Sequence, residues 1–295
     1  MFEHLFSLGG LSIERLRNFV EVAERGAIAR VADGDPSRQS LISRQIGELE
    51  AFFGVELTRR KGKGLELTEA GRELARQVRL QFQSLADFKS ACARRPVEYR
   101  IATGNSVIEW LVAPRLGAIA ATTPGTYSLW DWRTGDIVRG LLDHTVDFGI
   151  IRKSALVHPL RFHSLGNLTY RLFTPKKWRG SGDHSSAPLA ISIGGEFLGA
   201  FERAVAKMAV KPNIVFRCTG FTQAAQLVRS GAAAAILPHI AAPQLEDAAT
   251  VKNPAWLRPI TRDLGLAWHQ RVLEIRPGAE AVRSALLKAL PRGLS

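Results

Sequence analysis

The pattern that most constrains this chain lies in residues 12–67. There the apolar spacing runs through three helical stretches and then changes to that of a hairpin. Ser12 stands as an N-cap before Ile13, Leu16, Phe19, Val20 and Ala23, which recur at intervals suited to one helix face, and Gly26 fits a C-terminal cap. A shorter helical stretch runs from about Ala27 to Ala32, and the turn formers Asp33-Gly34-Asp35-Pro36-Ser37 follow. A third helix then places Leu41 or Ile42, Ile46, Leu49 and Phe53 on one face and ends at Gly54. Short helices with a tight turn between the second and third outline a helix-turn-helix.

The first turn and polar face of the third helix carry Arg38, Gln39, Ser40, Ser43, Arg44 and Gln45. These side chains suit base edges and phosphates, and a recognition helix presents its N-terminal part to the major groove. The same pattern also fits an ordinary solvated face, so the next segment matters. Val55 to Thr58 reads as a strand, Arg59-Arg60-Lys61-Gly62-Lys63-Gly64 as a basic turn, and Leu65 to Leu67 as a second strand. Together they form a wing whose cations Arg59, Arg60, Lys61 and Lys63 are suited to phosphate contacts.

The segment Arg17 to Ala75 resembles the DNA-binding domain of LysR-type transcriptional regulators. The matching residues are Leu16, Phe19, Val22, Ala23, Gly26, Ala32, Gln39, Ser43, Arg44, Gln45, Ile46, Leu49, Glu50, Gly54 and Leu57, then Arg59 or Arg60, and finally Leu67-Thr68-Glu69-Ala70-Gly71. The resemblance implies a winged helix-turn-helix, a long dimerising helix and a two-lobed effector domain, assembled as a homodimer or homotetramer. The chain departs from the family at Asp35 and Ser37, where apolar residues are usual, and at Ser40, where proline is common. These departures make the turn atypical and put the start of the third helix in question.

Thr68 is a plausible N-cap for a helix reaching about Ser90, with Leu74, Val78, Phe82 (or Gln81), Leu85 and Phe88 along one stripe. Such a helix is about 33 Å long. Its apolar seam serves either packing on its own chain or dimerisation through Leu74, Val78, Phe82 and Leu85, and the resemblance favours the second. Arg94-Arg95-Pro96 reads as a linker. The expected division is a DNA-binding domain at 12–67, a linker helix at 68–93 and an effector domain at 94–295.

From Tyr99 onward, strand and helix patterns alternate, which predicts an α/β fold with parallel sheets. Ligands in such folds sit beyond strand carboxyl ends, beside helix starts. Three segments have that form: Thr103-Gly104-Asn105-Ser106, Trp132-Arg133-Thr134-Gly135 and Cys218-Thr219-Gly220-Phe221-Thr222. Thr103, Asn105, Ser106, Thr134, Thr219, Gly220 and Phe221 are therefore effector-binding candidates, against a reading as helix caps alone. Arg152, just past a strand end, is either a charge partner for an anionic effector or a surface arginine. Asp147-Phe148-Gly149-Ile150 and the run from Gly231 to Pro238 resemble landmarks of the family's effector domain, with Ala233 in place of a usual glycine. The implied architecture is that of type 2 periplasmic binding proteins.

The chain has 40 basic and 27 acidic residues, a net charge of +13, which suits a polyanionic partner. Residues 1–95 hold only 16 basic against 13 acidic groups, so most of the surplus lies in the C-terminal part, where an anionic ligand is one explanation. Cys92 and Cys218 lack zinc spacing and read as reduced structural thiols, with a redox sensor as the alternative. No apolar run spans a bilayer and the first residues lack a secretion signal, so a cytoplasmic protein without membrane partners is expected. Hydrolase elbows, phosphate loops and paired-histidine metal motifs do not occur, so no enzyme activity, cofactor or metal is expected. The reading is a regulator of double-stranded DNA controlled by a small-molecule effector. The alternatives are a DNA-binding regulator without an effector and a solute-binding protein.

Overall fold

The computed structural model describes residues 3–6, 9–61, 64–178, 187–208, 211–291 and 293–294. The chain divides into two compact units, one of residues 1–95 with 275–277 and one of residues 96–274 with 278–295.

Unit 1 begins with a short α1 (Glu3–Phe6) and then α2 (Ile13–Arg25), whose start is capped by the Ser12 side chain and whose end is closed by left-handed Gly26. Phe19, Val20 and Val22 are buried, whereas Ile13, the first residue of the apolar series, is 71% exposed. A single turn, α3 (Ile28–Val31), leads to α4 (Pro36–Phe53). The atypical turn has a local logic. The Asp35 carboxylate accepts from the backbone N–H groups of Ser37 (2.8 Å) and Arg38 (3.4 Å), and Pro36 occupies the first helical position, where its missing N–H costs nothing. Helix α4 thus starts ahead of its apolar series. Ile42, Ile46 and Leu49 are buried against Phe19, Val22, Val31 and Leu57, while Leu41 and Phe53 remain partly exposed. Fully burying each such aliphatic side chain contributes about 1.5–3 kcal/mol.

The hairpin of β1 (Thr58–Lys61) and β2 (Gly64–Leu67) pairs Arg59 with Glu66 and Lys61 with Gly64. The first wing strand therefore starts at Thr58 and not at Val55, where the sequence pattern places it, and Arg59, Arg60 and Lys61 belong to the ladder and not to the turn. The cause is Glu50: its Oε1 accepts from the N–H groups of Leu57 (2.8 Å) and Thr58 (2.9 Å), which ties residues 57–58 to α4 before the strand begins. Helix α5 (Glu69–Cys92) follows, with Thr68 as N-cap. Gly71 sits where α5 passes the wing. A Cβ there would lie 2.0 Å from the Leu57 carbonyl oxygen, so only glycine permits the approach.

Unit 2 contains β3 (Glu98–Thr103), a helical run of α6 (Asn105–Val107), a π-turn (Ile108–Val112) and α7 (Ala113–Thr122), then β4 (Thr126–Asp131), α8 (Thr134–Leu142), β5 (Phe148–Arg152) and β6 (Arg161–Pro175). Next come β7 (Leu189–Ser192), α9 (Gly195–Ala206), β8 (Ile214–Cys218), α10 (Phe221–Ser230), β9 (Ala234–Pro238), β10 (Ala249–Lys252), β11 (Thr261–Trp268), α11 (Gln270–Ile275, whose last residue falls in unit 1) and α12 (Ala279–Ala289). Among the described residues the strand order is β4-β3-β5-β11-β6-β9-β7-β8, with β10 also on β6. Parallel pairing, expected for this alternation, joins β3 to β4 and β5, and β7 to β8 and β9. The sheet is nevertheless mixed, because β11 runs antiparallel to β5 and β6, and β6 antiparallel to β9 and β10. Strand β6 makes the two lobes. Residues 161–169 pair with β11, and residues 170–173 pair with β9. One lobe packs around Ala102, Ile137, Leu141 and Val146, the other around Phe173, Ala190, Val228 and Leu237.

Candidate nucleic-acid interface and effector cleft

Helix α4 separates its side chains cleanly. Arg38, Ser40, Ser43 and Arg44 are exposed, Gln39 is half-exposed, and Ile42, Ile46 and Leu49 face the core. Arg44 lies 3.7 Å from Glu48 one turn on, and Arg38 lies 3.8 Å from Asp33. Both are surface pairs of the kind that contributes little to stability and leaves the guanidinium available. Gln45 does not belong to this face. It is buried, and its Oε1 accepts from the Asn18 amide at 2.6 Å, so it joins α4 to α2. On the wing, Arg59 is exposed and 3.7 Å from Glu66. The side chains of Arg60 and Lys61, and Lys63 as a whole, lie outside the described residues.

The stripe on α5 is divided. Leu74 packs against the core of unit 1 and Val78 is buried, whereas Phe82 is half-buried and Leu85 and Phe88 are 58% and 67% exposed. The first part of the seam therefore serves its own chain. Asp87, also on α5, is buried and receives a bidentate pair from Arg276, with Nε at 2.8 Å and Nη2 at 3.1 Å. Cys92 is exposed; Cys218 is buried, and burial pushes its thiol above the usual range, which disfavours the reactive thiolate.

In unit 2 the three candidate segments fall on two lobes. The Thr103 carbonyl accepts from the N–H of Trp132 at 3.2 Å, which brings the first two segments side by side. The Thr103 hydroxyl is buried and donates to the Ile150 carbonyl at 3.0 Å. Asn105 is exposed, and Ser106 and Thr134 are half-buried at the starts of α6 and α8. On the other lobe, the N–H and hydroxyl of Thr219 both donate to the Gln223 side chain, at 2.9 and 3.0 Å, and Gly220 is the N-cap of α10. Phe221 is partly buried, with its ring 5.7 Å from Tyr170 and 5.2 Å from Phe197. A Cβ on Gly194, at the start of α9, would lie 3.1 Å from the Thr219 carbonyl, so the starts of α9 and α10 adjoin.

Arg152 is one of the residues through which the two lobes meet. Its Nη1 contacts the Glu196 carboxylate from α9, and Arg262 of β11 approaches the same oxygen, Oε2, at 3.6 Å. The arginine side chains are only 20% and 15% exposed. Burial, followed by the neighbouring Arg262 charge, pushes the Arg152 guanidinium below its ordinary value. Tyr170, on β6, is buried beside them; burial pushes its phenol up, partly offset by the Arg262 and Arg152 charges and a hydrogen bond from Arg262. Tyr170, Glu196 and Arg262 are not among the sequence candidates. No regular alternation marks the strands that carry Tyr170 and Arg262, and Glu196 reads as an ordinary acid in a first helical turn. Among the described residues no group of acidic, histidine and cysteine side chains is arranged to hold a metal, and no helix is long and apolar enough to cross a membrane.

This arrangement agrees with comparisons to known proteins. Residues 13–72 match the model of the bacterial regulatory helix-turn-helix protein of the lysR family, and residues 97–291 match the LysR substrate binding domain. The chain belongs to the LysR family. It is 34% identical over 147 residues to the HTH-type transcriptional regulator TcbR of a Pseudomonas species, a match covering 48% of this chain and 50% of TcbR. The chain thus matches about half the length of that relative. Two solved structures share the fold. The full-length regulator LysG of Corynebacterium glutamicum with bound effector Arg has a TM-score of 0.63 at 18% identity, covering 95% of this chain and 100% of LysG. Full-length OxyR from Pseudomonas aeruginosa, in a form with one cysteine replaced by aspartate, has a TM-score of 0.62 at 15% identity, covering 95% and 97%.

Proposed function

We propose that the chain is a sequence-specific DNA-binding transcription regulator, not an enzyme, that works in the cytoplasm as a homodimer or homotetramer and is modulated by a small-molecule effector. The observation that carries this is the α4 face: Arg38, Ser40, Ser43 and Arg44 are exposed opposite a buried aliphatic face, and the ion pairs of Arg38 and Arg44 are surface pairs that add little stability. In this reading Arg38, Gln39, Ser40, Ser43 and Arg44 read the major groove, and Arg59, Arg60, Lys61 and Lys63 take phosphates. Phe82, Leu85 and Phe88 offer the dimer seam, since Leu74 and Val78 are engaged within the chain. In the same reading Thr103, Asn105, Ser106, Thr134, Arg152, Thr219, Gly220 and Phe221 are the effector-binding residues. The domains taken are 12–67 for DNA, 68–93 for the linker helix and 94–295 for the effector. TcbR's name as a transcriptional regulator supports the reading.

The test is duplex binding at several salt concentrations, using a site found by genomic footprinting and a random duplex. Arg44→Ala should weaken the specific site about tenfold or more, as loss of a base contact does, and leave the random duplex nearly unchanged. Lys61→Ala should weaken both and flatten the salt slope by about one. Equal loss on both duplexes for Arg44→Ala refutes its base-reading role, and an affinity insensitive to salt refutes the DNA reading as a whole. One observation favours a regulator without an effector: the hydroxyls of Thr103 and Thr219 already have partners inside the fold.

A further inference from the structure

Two guanidiniums that are mostly buried and face one another require a compensating anion. Here Arg152 and Arg262 converge on a single oxygen of Glu196, whose side chain is 62% exposed. The neighbouring acid on β11, Asp263, is engaged elsewhere, accepting from the Ser164 hydroxyl at 2.7 Å with Lys153 at 3.9 Å. Tyr170 is held in its neutral form by burial and adds no negative charge. One exposed carboxylate therefore serves two poorly hydrated cations. It also comes from the opposite lobe: Glu196 lies in the first turn of α9, after β7, while Arg152 ends β5.

We propose that Arg152 and Arg262 form a carboxylate-binding subsite that the chain's own Glu196 fills in the absence of ligand, so that a small carboxylic acid anion binds by displacing Glu196. The chemistry favours the exchange. A ligand carboxylate has two oxygens to place against two planar guanidiniums, whereas Glu196 offers both of them the same one. Glu196 is exposed, so its departure uncovers little packed surface. The exchange replaces a tie between the lobes with a ligand, which gives the two states the different ligand contacts that modulation requires. Assigning the subsite to an effector rests on the regulator reading; the anion chemistry does not.

The test follows the thermal midpoint of the full chain against added sodium acetate, with sodium chloride at matched ionic strength as the control. Glu196→Gln leaves the arginine pair without its internal anion and should gain an acetate-specific rise of about 3 °C at roughly ten times the dissociation constant. Wild type should respond only at about tenfold higher acetate, because Glu196 competes, and Glu196→Asp should fall between them. The double variant Glu196→Gln with Arg262→Gln should lose the acetate-specific rise. Identical acetate responses in wild type and Glu196→Gln, or a response that chloride reproduces, overturn the proposal. Duplex binding is measured on the same proteins. An acetate response without DNA binding refutes the regulator reading and leaves the subsite standing, and DNA binding without an acetate response does the reverse.

Discussion

The candidate polar residues serve different ends in the two units. On α4 of unit 1, Arg38, Ser40, Ser43 and Arg44 face solvent and the fold asks little of them. In unit 2, Thr103 donates to Ile150, Thr219 to Gln223, and Arg152 meets Glu196. The residue types are alike, yet the α4 set is left to solvent and surface ion pairs, whereas Thr103, Thr219 and Arg152 are bonded within the fold. A polar residue is thus evidence of a site only once its internal partners are known. The family landmarks teach the same lesson. Gln45, Glu50, Gly71 and Asp147 hold the fold together, and each acts through a backbone or buried polar contact.

If this contrast is right, substitutions at fold-holding positions should cost stability and those on the α4 face should not. The largest effect is expected from Gly71→Val. Even its Cβ would sit 2.0 Å from the Leu57 carbonyl, so α5 and the wing must separate, at a cost of about 3 kcal/mol or more. Calorimetry should show loss of the unit 1 transition; a midpoint within a degree of wild type would mean that α5 and the wing can part without cost. Next is Asp147→Ala. The buried carboxylate accepts from the Arg100 N–H at 2.8 Å, and its loss leaves that contact unmade, at about 2–3 kcal/mol. The loss should fall on the unit 2 transition alone. Gln45→Ala follows at about 1–2 kcal/mol, since it strands the buried Asn18 amide. If Gln45→Ala leaves stability intact but abolishes specific DNA binding, Gln45 belongs to the reading face after all and the contrast fails in unit 1.

Unit 1 was legible in the sequence because its signals are local. Ser12, Gly26, Gly54 and Thr68 cap the helices they were expected to cap, and the face of Ile42, Ile46 and Leu49 repeats at helical spacing. The wing register was not legible, because it depends on Glu50 reaching across to Leu57 and Thr58. In unit 2 the parallel strands were legible as short apolar runs between helices. The long strand β6 was not: left-handed Gly166 interrupts it, so its buried residues Leu165, Leu168, Tyr170 and Phe173 break the alternation of a regular strand. With β6 and β11 unread, the mixed character of the sheet was out of reach. So was the convergence of Arg152 and Arg262 on Glu196, which requires β11 to lie antiparallel beside β5. A side-chain cluster assembled from strands distant in sequence leaves no spacing to detect.

The smallest stability effect, and the sharpest test of the contrast in unit 2, is expected from Thr219→Val. The substitution keeps the side-chain shape and the backbone N–H that donates to Gln223, and removes only the hydroxyl donor. Thr219 is exposed, so water replaces the lost partner and stability should fall by less than about 1 kcal/mol. Should Thr219 serve only as the partner of Gln223, the acetate response of the Glu196→Gln background should be the same with and without Thr219→Val. If the hydroxyl also faces the bound anion, acetate affinity should drop severalfold while stability barely moves. That second outcome would show one side chain bonded within the fold and used by the site at once, and the difference between the two units would then be one of degree.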